Sequence, residues 1–399
     1  MSTASVAFVF TNPRHHLEMM LPVARELERR GVTCSLVSLA ELRGLETPRD
    51  VAAIRRAIPL RLRRRNGAAA RPAAALTAAE PWSRGRLAKR AVWEVLRLRL
   101  RLLLRGARVV VVANDAVYPY IELLGDLHRR GVRSVLMQEG IRFPLPNGYA
   151  GPQYGAFVTA AVCAWGDGSR DYFVASHIAE RTIRVTGAPR LDDLDLDGWR
   201  ARGKALLAEH GLESAPIAFL SNPIEIQGYG TKQLKLALFE RFLAAAAPVV
   251  LARNIPIIVK NHLHEDPAEF AQIAAASPIG HLVKVLPAAP IFAAIAASRA
   301  AIVLTSTVGL EALAFGVPIG VLEIPGHGFA FEYVERGAAV PLASADLRAG
   351  LEELLDNAPA RRAAGAAFVE RQLHDRGHAS ANVATVIQQA LAGHARGAP

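Results

Sequence analysis

Two hydroxyls and a glycine stand where an apolar run gives way to helical spacing in L-T-S-T-V-G-L-E-A-L-A-F-G-V-P, residues 304–318. A strand ending at Thr305 and a helix starting near Val308 would leave free N–H groups beside Ser306, Thr307 and Gly309, a ready site for a phosphate. Glu311, one turn in, cannot favour that phosphate but can accept hydrogen bonds from ribose hydroxyls. A Ser/Thr N-cap with a capping-box-like acid uses the same residues, and the spacing alone leaves both readings open. After the strand signal I-P-I-I-V-K, the run K-N-H-L-H at 260–264 sets Lys260 and His262 where a cation would meet phosphate. A surface turn is the plainer reading of His262 and His264, and a zinc reading of H-x-H lacks a third clustered ligand. Two groups of general-base type lie near other strand ends: Glu139, in M-Q-E-G-I-R at 137–142, and His16. Helix capping accounts for His16 equally, and a salt bridge to Arg142 accounts for Glu139. Asn12, Arg14, Arg190, Asn222 and Tyr229 fall in predicted loops at strand ends and are candidate substrate contacts. His327 and Glu332 lie in G-H-G-F-A-F-E at 326–332, a loop whose glycines would let backbone approach a ligand.

Short β-branched runs hold these residues in place. The pattern predicts strands over 6–10, 33–39, 109–113, 134–138, 162–165 and 182–186, then 217–221, 256–260, 282–286, 301–305 and 319–322. Several are apolar on both faces, as in a parallel sheet covered by helices. Helical spacing runs over 16–30, 120–130, 232–246, 270–276, 290–297 and 308–315, and the tail 345–395 is helical with Pro359 and Gly377 as breaks. Gly187-Ala188-Pro189 and the polar D-D-L-D-L-D-G after it punctuate the chain. At 399 residues the chain exceeds the size of a single core. The expected architecture is α/β, two doubly wound Rossmann-like domains facing a cleft, over 1–187 and 188–375, with a C-terminal helix over 376–399. Neither half carries G-x-G-x-x-G after a strand, and G-x-x-x-x-G-K-[ST] is absent, which disfavours a plain NAD enzyme or a P-loop NTPase.

Composition is that of a folded protein, 51% hydrophobic and 21% charged. Its two cysteines, Cys34 and Cys163, sit in apolar runs and are expected to be reduced core thiols. The formal charge of +11 is local: residues 54–108 hold 16 Lys+Arg and two acids, a net of +14, whereas the remainder is slightly acidic. On a helix, Arg90, Arg97, Arg101, Arg105 and Arg108 share one face, with Val92, Trp93, Leu96, Leu100 and Leu103 opposite. Such a helix suits an anionic membrane surface or a core contact with a solvated basic face. Arginine interrupts the apolar runs too often for a transmembrane span. The N-terminus lacks a signal peptide's basic region, so a cytoplasmic location is expected.

The run S-T-V-G-L-E-A-L-A-F-G-V-P resembles the donor-binding segment of GT-B-fold nucleotide-sugar glycosyltransferases and of the related UDP-N-acetylglucosamine 2-epimerases. In those families it lies in the second domain and holds the nucleotide's diphosphate and ribose. V-T-G-A-P-R-L-D at 185–192 is similar to the V-T-G-N-P-x-x-D that opens their second domain. H-H-L-E-M-M-L-P-V-A-R-E-L-E-R-R-G at 15–31 is similar to their first loop and helix, with His15 in place of a glycine and Met19 in place of a proline. The three stretches stand in family order and span 15–318. K-N-H-L-H resembles the K-x-H-P of bacterial sialyl-, Kdo- and glycerophosphate transferases, with Leu263 in place of the proline. Glu139 matches the acidic-acidic-Gly motif that supplies the base in bacterial sialyltransferases, with Gln138 in place of the first acid. It also resembles the E-A-G-L-R of the epimerases. His16 matches the histidine that is the base in other members.

The resemblance implies a metal-independent, inverting transferase that moves a sugar from a nucleotide-sugar donor to a surface-polysaccharide or glycolipid acceptor, with no cofactor. Glu139 or His16 would be the base. Lys260, His262, Ser306, Thr307, Gly309 and Glu311 would bind the donor, and the final helix would cross back onto the first domain. Asp-x-Asp pairs at 193–197 fall between the predicted domains, not at a strand end, so no metal is expected. Acceptors made on membranes fit the basic segment and a place at the inner face of the plasma membrane. A UDP-sugar 2-epimerase is the first rival, but E-I-P-G-H-G stands where those enzymes carry R-P-E. A nucleic-acid binder is the second, disfavoured because 54–108 interleaves only Trp82 and Trp93 with its charges.

Overall fold

Each β-branched run becomes a short parallel strand in a computed structural model, which describes residues 5–48, 51, 54–57, 84–142, 154–263 and 265–396. The chain divides into two compact units. The first takes the chain up to Arg142, the stretch ending at Leu194, and everything from Gln372 onward; the second takes Asp195–Arg371.

The first unit contains β1 (Val6–Phe10), α1 (His15–Arg29), β2 (Cys34–Ser38), β3 (Ile54–Arg56), α2 (Arg84–Leu103), β4 (Val109–Val112), α3 (Tyr120–Arg129), β5 (Arg133–Met137), β6 (Ala161–Ala164), α4 (Asp167–Ala175) and β7 (Ile183–Val185). Its sheet is parallel throughout, in the order β3-β2-β1-β4-β5-β6-β7. Every residue of β1 is buried, with Val6, Phe8 and Phe10 in one core and Ala7 and Val9 in the other. That two-sided burial explains why the strand is apolar without alternation.

The second unit contains α5 (Leu196–Glu209), β8 (Ile217–Leu220), α6 (Lys232–Arg253), β9 (Ile257–Lys260), α7 (Pro267–Ala276), β10 (Val283–Val285), α8 (Ile291–Ala297), β11 (Ala300–Val303), α9 (Val308–Ala314), β12 (Ile319–Leu322), β13 (Ala339–Leu342), α10 (Leu347–Asp356) and α11 (Ala358–Gln372). Its sheet, also parallel, runs β10-β9-β8-β11-β12-β13. The aspartate run taken as punctuation opens α5: the Asp195 carboxylate accepts the Gly198 N–H at 2.8 Å, an N-cap. Pro359 opens α11 instead of breaking it.

The last helix, α12 (Ala379–Arg396), belongs to the first unit, where Val383, Ala384, Ile387 and Leu391 share a core with β1. V-T-G-A-P-R-L-D builds its seat. The Asp192 carboxylate accepts N–H groups of Ala379 at 2.8 Å and Ser380 at 2.6 Å, capping the helix. Gly187 has φ +91°, and a Cβ there would lie 2.4 Å from the His374 carbonyl oxygen, so only glycine fits.

The arginine-rich helix α2 has two apolar faces. Trp93, Leu96, Leu100 and Leu104 are buried against the sheet with Val110, Val112 and Tyr120, and each buried side chain contributes roughly 1.5–3 kcal/mol. Val92, expected on that stripe, lies on the other face, where Val92, Val95, Leu98 and Leu102 are 49%, 73%, 61% and 73% exposed. The basic face is partly structural: Arg101 Nε and Nη2 grip the buried Asp126 of α3 at 3.2 and 2.6 Å, and Arg97 lies 3.7 Å from the same carboxylate. Residues 58–83, including Trp82, and the Arg90 side chain lie outside the described residues. Among the described residues no helix is long and apolar enough to cross a membrane.

Candidate active site

In each unit the chemistry-bearing loops leave the carboxyl ends of strands beside a reversal of strand order, the usual place for a ligand in such sheets. In the first unit the reversal lies between β1 and β4, so the loops after β1, β4 and β5 emerge side by side. They gather around Glu139. Its Oε2 lies 2.8 Å from His16 Nε2, its Oε1 accepts the Asn114 amide at 3.0 Å, and its backbone carbonyl lies 2.5 Å from His15 Nε2. Arg142 Nη2 is 3.9 Å from Oε1. The two rival bases are thus one hydrogen-bonded pair.

The hydrogen bonds around His16 assign its tautomer. The Thr11 and Asn12 N–H groups both point at Nδ1, at 3.4 Å each, so Nδ1 is the acceptor and Nε2 carries the proton that it donates to Glu139. His16 has no lone pair to offer a substrate; Glu139 is the member able to accept a proton. Burial pushes the Glu139 carboxyl up, but the His16 hydrogen bond and the Arg142 charge outweigh it and hold the group at about 2. Glu139 is therefore ionised at neutral pH. His15 is pushed down to about 4 by burial and then by the Arg190 charge, so it is neutral and donates Nε2–H to the Glu139 carbonyl.

The other candidates of this unit divide. Asn12 Oδ1 accepts the N–H groups of Arg14 and His15, both at 3.1 Å, and so builds the turn into α1; Arg14 is exposed. Arg190 is largely buried, with Nη2 3.5 Å from Glu18 Oε2. Gln138 is fully engaged, donating to Ser169 Oγ and the Gly140 carbonyl and accepting the Trp165 N–H. A carboxylate there would face the Gly140 carbonyl, so the amide fits this position better than the acid it replaces. Asn114 and the carbonyl contact of His15 escaped the sequence reading. An Asn-Asp pair after a strand looks like any turn, and only the adjacency of β4 and β5 brings Asn114 to Glu139.

In the second unit the reversal lies between β8 and β11. Ser306 Oγ accepts the Val308 N–H at 3.2 Å, and Tyr333 Oη accepts the Leu310 N–H at 2.9 Å while donating to the Ser306 carbonyl at 3.1 Å. The first-turn N–H groups of α9, a helix of only two turns, are therefore engaged internally, and the Ser306 hydroxyl keeps a proton to donate. A Cβ at Gly309 would sit 3.0 Å from the Tyr333 ring, which explains the glycine. Glu311 is buried one turn in. Asn222 clamps β8 to β11, donating to Thr305 Oγ1 at 2.6 Å and to Gln227 at 2.9 Å and accepting the Thr305 N–H.

The loop after β9 is held tightly. Lys260 Nζ donates to the carbonyls of Asn261 at 2.7 Å and Pro287 at 3.0 Å. His262 is exposed, and its N–H donates to Glu265 Oε2 at 2.8 Å. His264 lies outside the described residues. Glu265 also accepts Ser221 Oγ–H at 2.9 Å and lies 2.6 Å from Lys235 Nζ, itself 3.1 Å from Glu225. Asn261, between the two candidates, is buried, and among the described residues neither polar atom of its amide has a hydrogen-bond partner. Tyr229 stacks edge-on with His327 at 5.5 Å, and burial pushes its phenol up to about 12. Glu332 pairs with Arg336. Among the described residues no group of three His, Cys, Asp or Glu is arranged to hold a metal ion.

Two doubly wound parallel units, with the last helix returned to the first, define a GT-B-type α/β fold. Solved structures share it along nearly the whole chain. A UDP-GlcNAc 2-epimerase from Neisseria meningitidis bound to UDP-GlcNAc superposes with a TM-score of 0.62 at 13% identity, covering 96% of this chain and 99% of its own. The Methanocaldococcus jannaschii UDP-GlcNAc 2-epimerase in complex with UDP-GlcNAc and UDP gives 0.58 at 11%, covering 97% and 99%. A glycosyltransferase from Rickettsia africae gives 0.54 at 10%, covering all of both chains. No family model and no curated protein matches the sequence.

Proposed function

We propose that the chain is a nucleotide-sugar-dependent glycosyltransferase, metal-independent and inverting, with the acceptor bound by the first unit and the donor by the second. One observation carries this reading: Glu139 is an ionised carboxylate at a strand end, oriented by Asn114 and by a histidine whose only available proton points at it. An acceptor hydroxyl attacking the anomeric carbon must lose its proton, and Glu139 is placed to take it. The Ser306 and Thr307 hydroxyls and Lys260 would stabilise the departing nucleotide, Glu311 its ribose, and Asn261 supplies a buried amide beside them. Screening UDP-, GDP-, CMP-, CDP- and dTDP-sugars by thermal shift tests the donor site. One class is expected to raise the unfolding midpoint, since a ligand at about 100 times its Kd adds about 2.7 kcal/mol. No shift with any of them overturns the reading.

A UDP-sugar 2-epimerase is the second reading, supported by the fold shared with two such enzymes. Incubation with UDP-GlcNAc alone separates the two: an epimerised product formed without acceptor sinks the transferase.

The acceptor is a membrane-made glycan or glycolipid, and α2 is the contact with the anionic inner face of the plasma membrane. Val95, Leu98 and Leu102 would enter the headgroup boundary while Arg105 and Arg108, both exposed, meet lipid phosphates. Leu98→Glu with Leu102→Glu is expected to abolish co-sedimentation with phosphatidylglycerol vesicles and leave the donor-induced thermal shift unchanged. Equal sedimentation of wild type and variant overturns the membrane contact.

A further inference from the structure

Among the described residues the charge of Arg142 meets an ion-pair partner only at a distance, Glu139 at 3.9 Å, too far for a hydrogen bond. Its guanidinium lies 3.6 Å over the Tyr154 ring, and its side chain is 13% exposed. Nε and Nη2, which together form one edge of the planar group, are both buried and, among the described residues, without a hydrogen-bond acceptor. Elsewhere in the same unit that edge is closed by a carboxylate: Arg101 grips Asp126 with Nε at 3.2 Å and Nη2 at 2.6 Å, and Arg29 grips Glu26 at 2.9 and 2.7 Å. At Arg142 the neighbouring acids are engaged elsewhere. Glu139 stands off at 3.9 Å with one oxygen on His16 and the other on Asn114. Asp115 accepts the N–H groups of Gly155 and Phe157 at 2.9 and 3.0 Å. A buried guanidinium edge with no acceptor is costly, and the aromatic face beneath it keeps the fork oriented. A second cation, Arg190, lies near enough to depress the His15 pKa.

We propose that the Nε–Nη2 edge of Arg142 is an oxyanion site, taking a carboxylate or phosphate carried by the acceptor and so setting a hydroxyl of the same molecule against Glu139. Two parallel N–H donors match the two oxygens of either group, and the contact is strong because it is charged on both sides. The acceptor is then an acidic or phosphorylated sugar or polyol. The word acceptor rests on the transferase reading; the binding site does not.

Isothermal titration of the full chain with glucuronate, glucose 6-phosphate and glucose tests the site directly. One anion is expected to bind about tenfold or more tightly than glucose, and which of the two it is identifies the group as carboxylate or phosphate. Arg142→Gln is expected to bring that anion down to the level of glucose. Arg142→Lys, which keeps the charge but not the fork, is expected to give an intermediate affinity and serves as the test if the glutamine variant unfolds. Two results overturn the proposal: neither anion binding better than glucose, or the variants binding it as tightly as wild type. Donor-induced thermal shifts with wild type, run alongside, separate the two ideas. Anion binding without any nucleotide-sugar shift sinks the transferase and leaves the site; a shift without anion binding sinks the site alone.

Discussion

Glu139→Gln is expected to lower turnover by about 10²–10⁴-fold, the range over which a positioned base contributes, while the donor-induced thermal shift stays at its wild-type size. The amide keeps the shape of the side chain and can still accept the His16 proton on its oxygen, but it cannot take a proton from the acceptor. A carboxyl held at about 2 is a weak base, and this does not disqualify it. As the new glycosidic bond forms, the attacking oxygen becomes an oxonium, far more acidic than an alcohol, so the proton leaves late and needs only a nearby anion. His16→Ala removes the donor that orients Glu139, so it is expected to cost less than Glu139→Gln. The opposite ranking would make His16 the base and require its tautomer to invert against two backbone N–H groups. Stability follows the same charges. Because the carboxyl is depressed in the folded state, its contribution is present above about pH 4.5 and lost as pH falls toward about 2. Steady-state kinetics beside acid unfolding of wild type and Glu139→Gln check both statements, and near-normal turnover of the variant refutes the assignment.

The two sheets were legible because their strands are apolar on both faces, and the elements that were missed lack that signature. β3 is three residues, Ile54-Arg55-Arg56, inside the basic segment. β13 contains Pro341, tolerable because β13 is an edge strand, yet that proline reads against a strand. Neighbourhoods across the sheet were not legible. Glu139 and His16 stand as separate candidates in the sequence, 123 positions apart, and their union depends on β1, β4 and β5 lying side by side. Motif matching does not show what such segments hold in place within the fold. V-T-G-A-P-R-L-D matters for seating α12, through a glycine with positive φ and an aspartate cap. In K-N-H-L-H the lysine donates to two carbonyls, while the intervening Asn261 is the buried side chain with no hydrogen-bond partner among the described residues. Hydropathy treats Lys235 as one more surface lysine of a helix, although its side chain is only 2% exposed.

That buried lysine should produce the largest loss of stability from a single substitution. Lys235 and Glu265 face each other at 2.6 Å with both side chains 2% exposed, and Glu225 flanks the lysine at 3.1 Å. Lys235→Met leaves the Glu265 carboxyl buried without its counter-ion, with only the Ser221 hydroxyl and the His262 N–H for support among the described residues. Removing one partner of a buried pair costs about 3–5 kcal/mol, much of it the penalty of the orphaned charge and not the worth of the pair. The two explanations are separable. If the orphaned carboxylate dominates, adding Glu265→Gln to Lys235→Met restores most of the loss, because the amide needs no counter-ion and still accepts the His262 N–H. If the losses add, the sites are independent and the buried-pair account fails. Denaturant unfolding of the two single variants and the double variant closes the cycle. The same experiment reaches the donor site, since Glu265 Oε2 anchors the loop that carries Lys260, Asn261 and His262. The double variant should therefore recover the donor-induced thermal shift together with stability, whereas Lys235→Met alone loses both, because water drawn to the unpaired carboxyl beneath the loop loosens the segment it anchors.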